Sequence, residues 1–376
     1  MEKEEFELFF EKSKVERLQC DYIDANDTLG ANLSDEDYDI AIIGIPSSYG
    51  SESWNAGTES APDFIRKYLY SLSYSFPGLK VSDLGDVVAK DAESLTCALV
   101  EIVTELEAND KKYVFIGGSK CFLLPIMQGI SSRRRDINFV LADSVVDFSP
   151  KVKDDDGVFI PTYLDEIISM DSVKNVDVLG YQNYFLSKSR SKFVDHRWIE
   201  ITRLAALQES VASFEPVLRD SDIFAINARV IRFSDCPAVG IPSPNGLYGN
   251  EACYLAKLAG TSDRNSGFGL FELNPTKDLN EVSAHLSAQI VWHYLQGVAN
   301  RIGDYPLRSL SDYQKYIVFD PPTKTEINFY ENQSNGRWWV EIPMKSGKTI
   351  YSCTRSDYET FLNREVPRIW YRHFMK

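Results

Sequence analysis

The stretch Ile137-Asn138-Phe139-Val140-Leu141-Ala142 is largely apolar and stops at Asp143, with a second aspartate four residues on at Asp147. A short apolar run bounded by a polar patch reads as a buried strand of a parallel sheet. Both carboxylates then fall at the strand's carboxyl end and in the loop after it, where open α/β sheets bind ligands. Two carboxylates in that place suit a metal, a general base or an ion pair.

The same texture recurs along the chain. Asp39–Pro46, Val81–Val87, Tyr113–Ile116, Val176–Gly180, Ile223–Ile226 and Gly267–Leu273 read as further strands. Between them lie helical patterns. One starts near Ala61 with Pro62 in its first turn, where a missing N–H costs nothing. A second carries Leu95, Leu99, Ile102, Val103 and Leu106, and others run over Phe122–Ile130, Asn250–Leu258 and 279–300. Strands that alternate with helices imply a mainly parallel sheet covered on both faces, a three-layer α/β/α domain. After about residue 305 the pattern turns to period two in Tyr316–Phe319, Glu326–Tyr330 and Arg337–Ile342. Asn335-Gly336 marks a hairpin turn between the last two. Trp338-Trp339 predicts one ring in the hairpin core and one exposed, and 356–376 reads as helical. The expected division is an N-terminal lead-in with a short helix (1–36), the α/β domain (37–305) and a small β-rich extension with a terminal helix (306–376).

Composition removes several classes of function. Net charge is −15 over 376 residues, with no Lys/Arg stripe interleaved with aromatics, which argues against nucleic acid. The run Ser132-Arg133-Arg134-Arg135 reads as a solvated loop. Six scattered cysteines without a C-x-x-C pair give neither a zinc site nor a disulfide framework. The acidic N-terminus lacks an apolar core, and no apolar run approaches the ~18 residues of a membrane span. The expected location is cytoplasmic.

Several stretches together resemble the ureohydrolase family of arginase, agmatinase and formimidoylglutamase. Ala56-Gly57-Thr58-Glu59-Ser60-Ala61-Pro62-Asp63-Phe64-Ile65-Arg66 is similar to its G-A-x-x-G-P-x-x-I-R turn and helix. Asp83-Leu84-Gly85-Asp86 matches D-x-G-D, and Glu272-Leu273-Asn274-Pro275 with Asp278 matches E-x-N-P-x-x-D. Asp39–Pro46 looks like the opening strand, and Pro237–Glu251 like the family's Gly/Pro-rich loop. The resemblance covers Tyr38 to about Asn300 and implies an arginase-like domain.

The family's chemistry uses two manganese ions that hold a hydroxide for attack on a guanidinium or formimino carbon. Its metal motifs are altered in this chain. G-G-D-H becomes Gly117-Gly118-Ser119-Lys120, D-A-H-x-D becomes Asp143-Ser144-Val145-Val146-Asp147, and D-x-D becomes Asn227-Ala228-Arg229. A further downstream Asp becomes Arg232. Of six ligand side chains, Asp143 and Asp147 remain. The four histidines, His196, His285, His293 and His373, fall at no motif position. A cation 4 Å from a dication costs about 8 kcal/mol at an effective dielectric near 20.

These changes predict a buried ionic cluster of Lys120, Arg229, Asp143 and Asp147 in the old metal site. Val145 and Asn227 complete the vestigial positions. Glu272, which in the family faces the guanidinium, is expected to bind a ligand or to pair with Arg229 or Arg232. The resulting expectation is a catalytically inactive, metal-free relative that acts as a binding, scaffold or regulatory protein. It would have protein partners, room for a small guanidino or amidino ligand, and oligomers as in the family. The alternative is a formimidoylglutamase- or agmatinase-like hydrolase with a rebuilt site, which would use manganese and draw missing ligands from Asp154, Asp155 or Asp156.

Overall fold

The computed structural model describes the chain except residues 20–21, 36, 52, 148–151, 154–158, 161, 186–198, 305–309, 321–324, 345–346 and 366–376. Asp154, Asp155, Asp156, His196, His373 and the last part of the expected terminal helix lie outside the described residues.

The chain opens with α1 (Lys3–Glu7) and a two-residue strand, β1 (Phe10–Glu11). Alternation follows through β2 (Ile40–Gly44), α2 (Ala61–Leu69), β3 (Val81–Val87), α3 (Ala92–Ala108), β4 (Lys112–Ile116), α4 (Leu123–Ser131) and β5 (Ile137–Ala142). A small ribbon, β6 (Val152–Lys153) with β7 (Phe159–Ile160), precedes α5 (Tyr163–Ile168), β8 (Val173–Tyr181), β9 (Ile199–Arg203), α6 (Leu204–Glu209) and α7 (Glu215–Arg219). Then come β10 (Ile223–Asn227), α8 (Gly249–Gly260), β11 (Gly267–Phe271) and α9 (Val282–Ala299). Nine strands form one sheet in the order β1-β3-β2-β4-β11-β10-β5-β8-β9. All neighbours are parallel except β1, which runs antiparallel on the outer edge of β3. Such an edge strand covers donors and acceptors that β3 would otherwise expose.

Period-two alternation sends side chains into two cores. Ile40, Ile42, Val114, Ile116, Val140 and Phe224 pack toward α2, α8 and α9. Ala41, Ile43, Tyr113, Phe115, Phe139 and Leu141 pack toward α3 and α4. The strands are therefore buried on both faces, which explains why they read as continuous apolar runs. No helix among the described residues is long and apolar enough to cross a membrane.

The extension is an antiparallel meander, β12 (Gln314–Asp320), β13 (Thr325–Asn332), β14 (Arg337–Met344) and β15 (Gly347–Cys353), closed by α10 (Arg355–Leu362). The β13–β14 connection holds the expected Asn335-Gly336, with Gly336 at φ +71°. Two expectations change here. Trp338 and Trp339 are both buried, because one face of the meander packs on α10 and the other lies on the α/β domain. Arg219 from α7 sits 4.5 Å from the Trp339 ring and donates to the Trp338 carbonyl at 2.9 Å. Arg134 is not a solvated loop residue either: it pairs with Glu107 at 2.6 Å and Asp222 at 3.1 Å.

Candidate functional site

Four neighbouring strands in the middle of the sheet, β4, β11, β10 and β5, end side by side. Each delivers one part of the site. After β4 the chain turns through Gly117 and Gly118, both at positive φ (+84° and +73°). A Cβ on Gly117 would stand 2.5 Å from Pro62 Cδ, so the turn needs glycine. It places Ser119 and Lys120 at the mouth of the sheet. β5 ends at Ala142 and leads to Asp143 and Asp147, β10 ends on Asn227 and leads to Arg229, and β11 leads to Glu272.

The four charged residues expected to cluster do meet. Arg229 Nε and Nη2 donate to the two oxygens of Asp143 at 2.7 and 2.9 Å. The same Nη2 donates to Asp147 Oδ2 at 2.8 Å, and the Lys120 ammonium pairs with that oxygen as well. Asp143 is fully buried and takes two more hydrogen bonds, from Asn227 Nδ2 at 2.9 Å and from the Val145 backbone N–H at 3.0 Å. Val145 thus contributes its backbone, and Asn227 a neutral donor.

Burial alone would push the Asp147 carboxyl upward. The charges of Lys120 and Arg229 outweigh it and hold the carboxyl down at about 2. Burial likewise disfavours the Arg229 cation, and Asp143 and Asp147 overcome it to hold that guanidinium well above its usual value. Burial, followed by the charges of Asp147 and Asp143, raises the Tyr163 hydroxyl well above the phenol range. That hydroxyl is buried and has no hydrogen-bond partner among the described residues.

Glu272 pairs with neither Arg229 nor Arg232. Its carboxylate, 3% exposed, accepts from Asn55 Nδ2 at 2.6 Å, Ser119 Oγ at 3.1 Å and the Lys120 backbone N–H at 3.1 Å, with Ser51 Oγ beside it at 3.4 Å. Neutral donors therefore fix the group without cancelling its charge. Its backbone lies at φ +64°, a strained setting for a non-glycine residue. Arg232 turns to Asp235 at 2.9 Å and lies over the Tyr248 ring at 3.8 Å. Sequence reasoning missed Ser51, Asn55 and Tyr163. The first two lie in a Ser- and Asn-rich stretch, 47–55, whose composition singles out neither residue.

A sequence model of the arginase family matches residues 38–296. The chain belongs to the arginase family. Among curated proteins, this arginase-family chain is similar to a formimidoylglutamase from Halalkalibacterium halodurans, 23% identical over 283 residues, covering 68% of this chain and 86% of that protein. Among solved structures it resembles a Trypanosoma cruzi formiminoglutamase with Mn²⁺, TM-score 0.67 at 23% identity, covering 73% of this chain and 99% of that one. A Bacillus subtilis formimidoylglutamase gives TM-score 0.67 at 18% identity, covering 78% and 97%.

The Trypanosoma cruzi structure corrects one expectation. The altered motifs led to no cofactor, but a solved relative with this fold holds manganese, and the expectation of none is withdrawn. The inference counted motif positions alone, whereas a metal takes oxygen or imidazole donors from any segment that reaches it. The described residues do not fit a manganese pair as they stand. Both aspartates are held by cations, and among the described residues no group of three or more His, Cys, Asp or Glu could hold an ion.

Proposed function

We propose that this arginase-family chain acts by binding, in a scaffold or regulatory role, at the carboxyl ends of its central strands, where Asp143 and Asp147 are committed to fixed cations. The observation that carries this reading is the two-point grip of Arg229 on Asp143, reinforced by Arg229 and Lys120 on Asp147. Bidentate guanidinium–carboxylate pairs are among the stronger polar contacts in proteins. Removing one partner of a buried pair is costly, so the arrangement resists rearrangement. Glu272 supplies a buried negative charge that suits an amidino or guanidino group, or a basic side chain of a protein partner.

A second reading has separate support. Several relatives that share most of the chain's length carry the name formimidoylglutamase or formiminoglutamase, which favours a manganese-dependent hydrolase of linear amidines. The comparisons support this reading and the geometry supports the first. One experiment separates them: the protein is incubated with Mn²⁺, its metal content is measured, and formamide or urea release is assayed on formimino and guanidino substrates. Saturable ligand binding without release supports the binding role. Turnover that follows manganese content overturns it and establishes the hydrolase.

A further inference from the structure

A cavity of about 250 Å³ lies between the α/β domain and the extension. It is remote from the ionic cluster: Asn138, near the start of β5, lines it, whereas Asp143 follows the other end of that strand. One side is built by β8 and β9, through Asp177 and Thr202, and by Asp220 just after α7. The other side is built by Ser352 of β15 and Asp357 of α10. The site therefore exists only where the extension is docked.

Its described lining carries one sign of charge. The carboxylates of Asp220 and Asp357 face each other across it, and no lysine or arginine is among the described lining residues. Asp220 accepts from the Ser352 backbone N–H at 3.0 Å and from the Ser352 hydroxyl. Asp357 accepts from the Thr354 N–H at 2.7 Å and hydroxyl at 2.6 Å. These neutral donors orient the two carboxylates and leave their charge in place. Phe214 and Val217 give the cavity an apolar wall. A cation with a short hydrocarbon body matches both surfaces, since a charge removed from water needs opposite charge and hydrogen-bond acceptors around it. The volume is below the ~300–1,000 Å³ typical of drug-sized ligands, which limits the occupant to a few heavy atoms. We infer that this cavity binds a compact aliphatic ammonium compound, clasped between the two parts of the chain.

The probes are 1,3-diaminopropane and its neutral counterpart 1,3-propanediol, titrated by calorimetry into the full chain. Ser213 and Ser356 stand exposed at the mouth, so Ser213→Trp and Ser356→Trp obstruct entry without entering the core. The expected result is saturable binding of one diamine per chain, about tenfold or more tighter than the diol, and weakened about tenfold in either variant. Amide shifts on diamine addition are expected to centre on Ser352 and Thr354, a readout that needs no variant. Absent saturation, equal binding of the diol, shifts centred elsewhere, or unchanged affinity in a folded Trp variant would each overturn the proposal. The last outcome would mark the binding as general attraction to a chain of net charge −15.

Discussion

Arg229 holds Asp143 with two nitrogen–oxygen contacts, at 2.7 and 2.9 Å, although the two residues are 86 positions apart. Asp143 is fully buried and the Arg229 side chain 12% exposed, so little water can replace either partner. Arg229→Met is expected to destabilise the fold by about 3–5 kcal/mol, because it strands a buried carboxylate. Denaturant midpoints measure it. Lys120→Met should cost less, since Asp147 keeps Arg229. A midpoint unchanged in both variants would sink the ionic-cluster account.

Acid stability carries the signature of Asp147. Its carboxyl titrates at about 2 in the fold against an ordinary 3.8. A lowered carboxylate contributes stability that is fully present above 3.8 and is lost as pH falls toward 2. The contribution is on the order of 2 kcal/mol. Asp147→Asn is expected to lower stability at neutral pH and to flatten the fall between those two pH values. Urea unfolding at stepped pH shows whether the slope changes.

The Tyr163 hydroxyl is buried and unmatched among the described residues. Removing an unsatisfied buried hydroxyl costs little and can stabilise, within about 1 kcal/mol either way. Tyr163→Phe is therefore expected to leave the melting temperature level or raise it. A marked drop would show that the hydroxyl has a bonded partner in solution.

The extension depends on Arg219. Its guanidinium lies over Trp339 and donates to the Trp338 carbonyl. Arg219→Ala is expected to cost roughly 2–4 kcal/mol from the lost cation–π contact and charged hydrogen bond. Trp339, 1% exposed, should then gain water, and tryptophan emission should move to longer wavelength. Unshifted emission would mean that the sheet stays docked by other contacts, such as Arg337 to Asp304 at 2.8 Å.

Gly85 guards the covered edge of the sheet. It lies at φ +100°, and a Cβ there would stand 2.1 Å from the Glu11 carbonyl oxygen. Gly85→Ala is expected to dislodge β1 and destabilise by more than about 1 kcal/mol. Faster hydrogen exchange at the Val88 amide, which donates to Phe9 at 2.9 Å, would report it.

Much of this was legible in the residues. Apolar runs such as Ile40–Gly44 and Ile137–Ala142 marked the parallel strands, because burial on both faces leaves no polar alternation to confuse them. Lys120, Asp143, Asp147 and Arg229 could be brought together because they fall at motif positions. Glu272 matches a motif position, yet its partners were not foreseen: Ser51, Asn55 and Ser119 lie 221, 217 and 153 residues away, and only loop conformation joins them. The Trp338-Trp339 pair and Arg134 were misjudged for a related reason. Trp339 is covered by Arg219, and Arg134 is held by Glu107 and Asp222, partners remote in sequence. The cofactor expectation failed differently, by treating lost motif ligands as proof of a lost metal.

The central strand order bears on time as well as on strength. Lys120 follows β4, Asp147 follows β5, and Arg229 follows β10. Asp147 and Arg229 are 82 residues apart and meet only after separate chain segments have assembled the middle of the sheet. Contacts with such long loops close late in folding. Cutting them is then expected to quicken unfolding while leaving refolding almost as fast as before. On that expectation the cluster is a latch on a finished structure, which sets how long the centre of the sheet stays closed more than how quickly it forms.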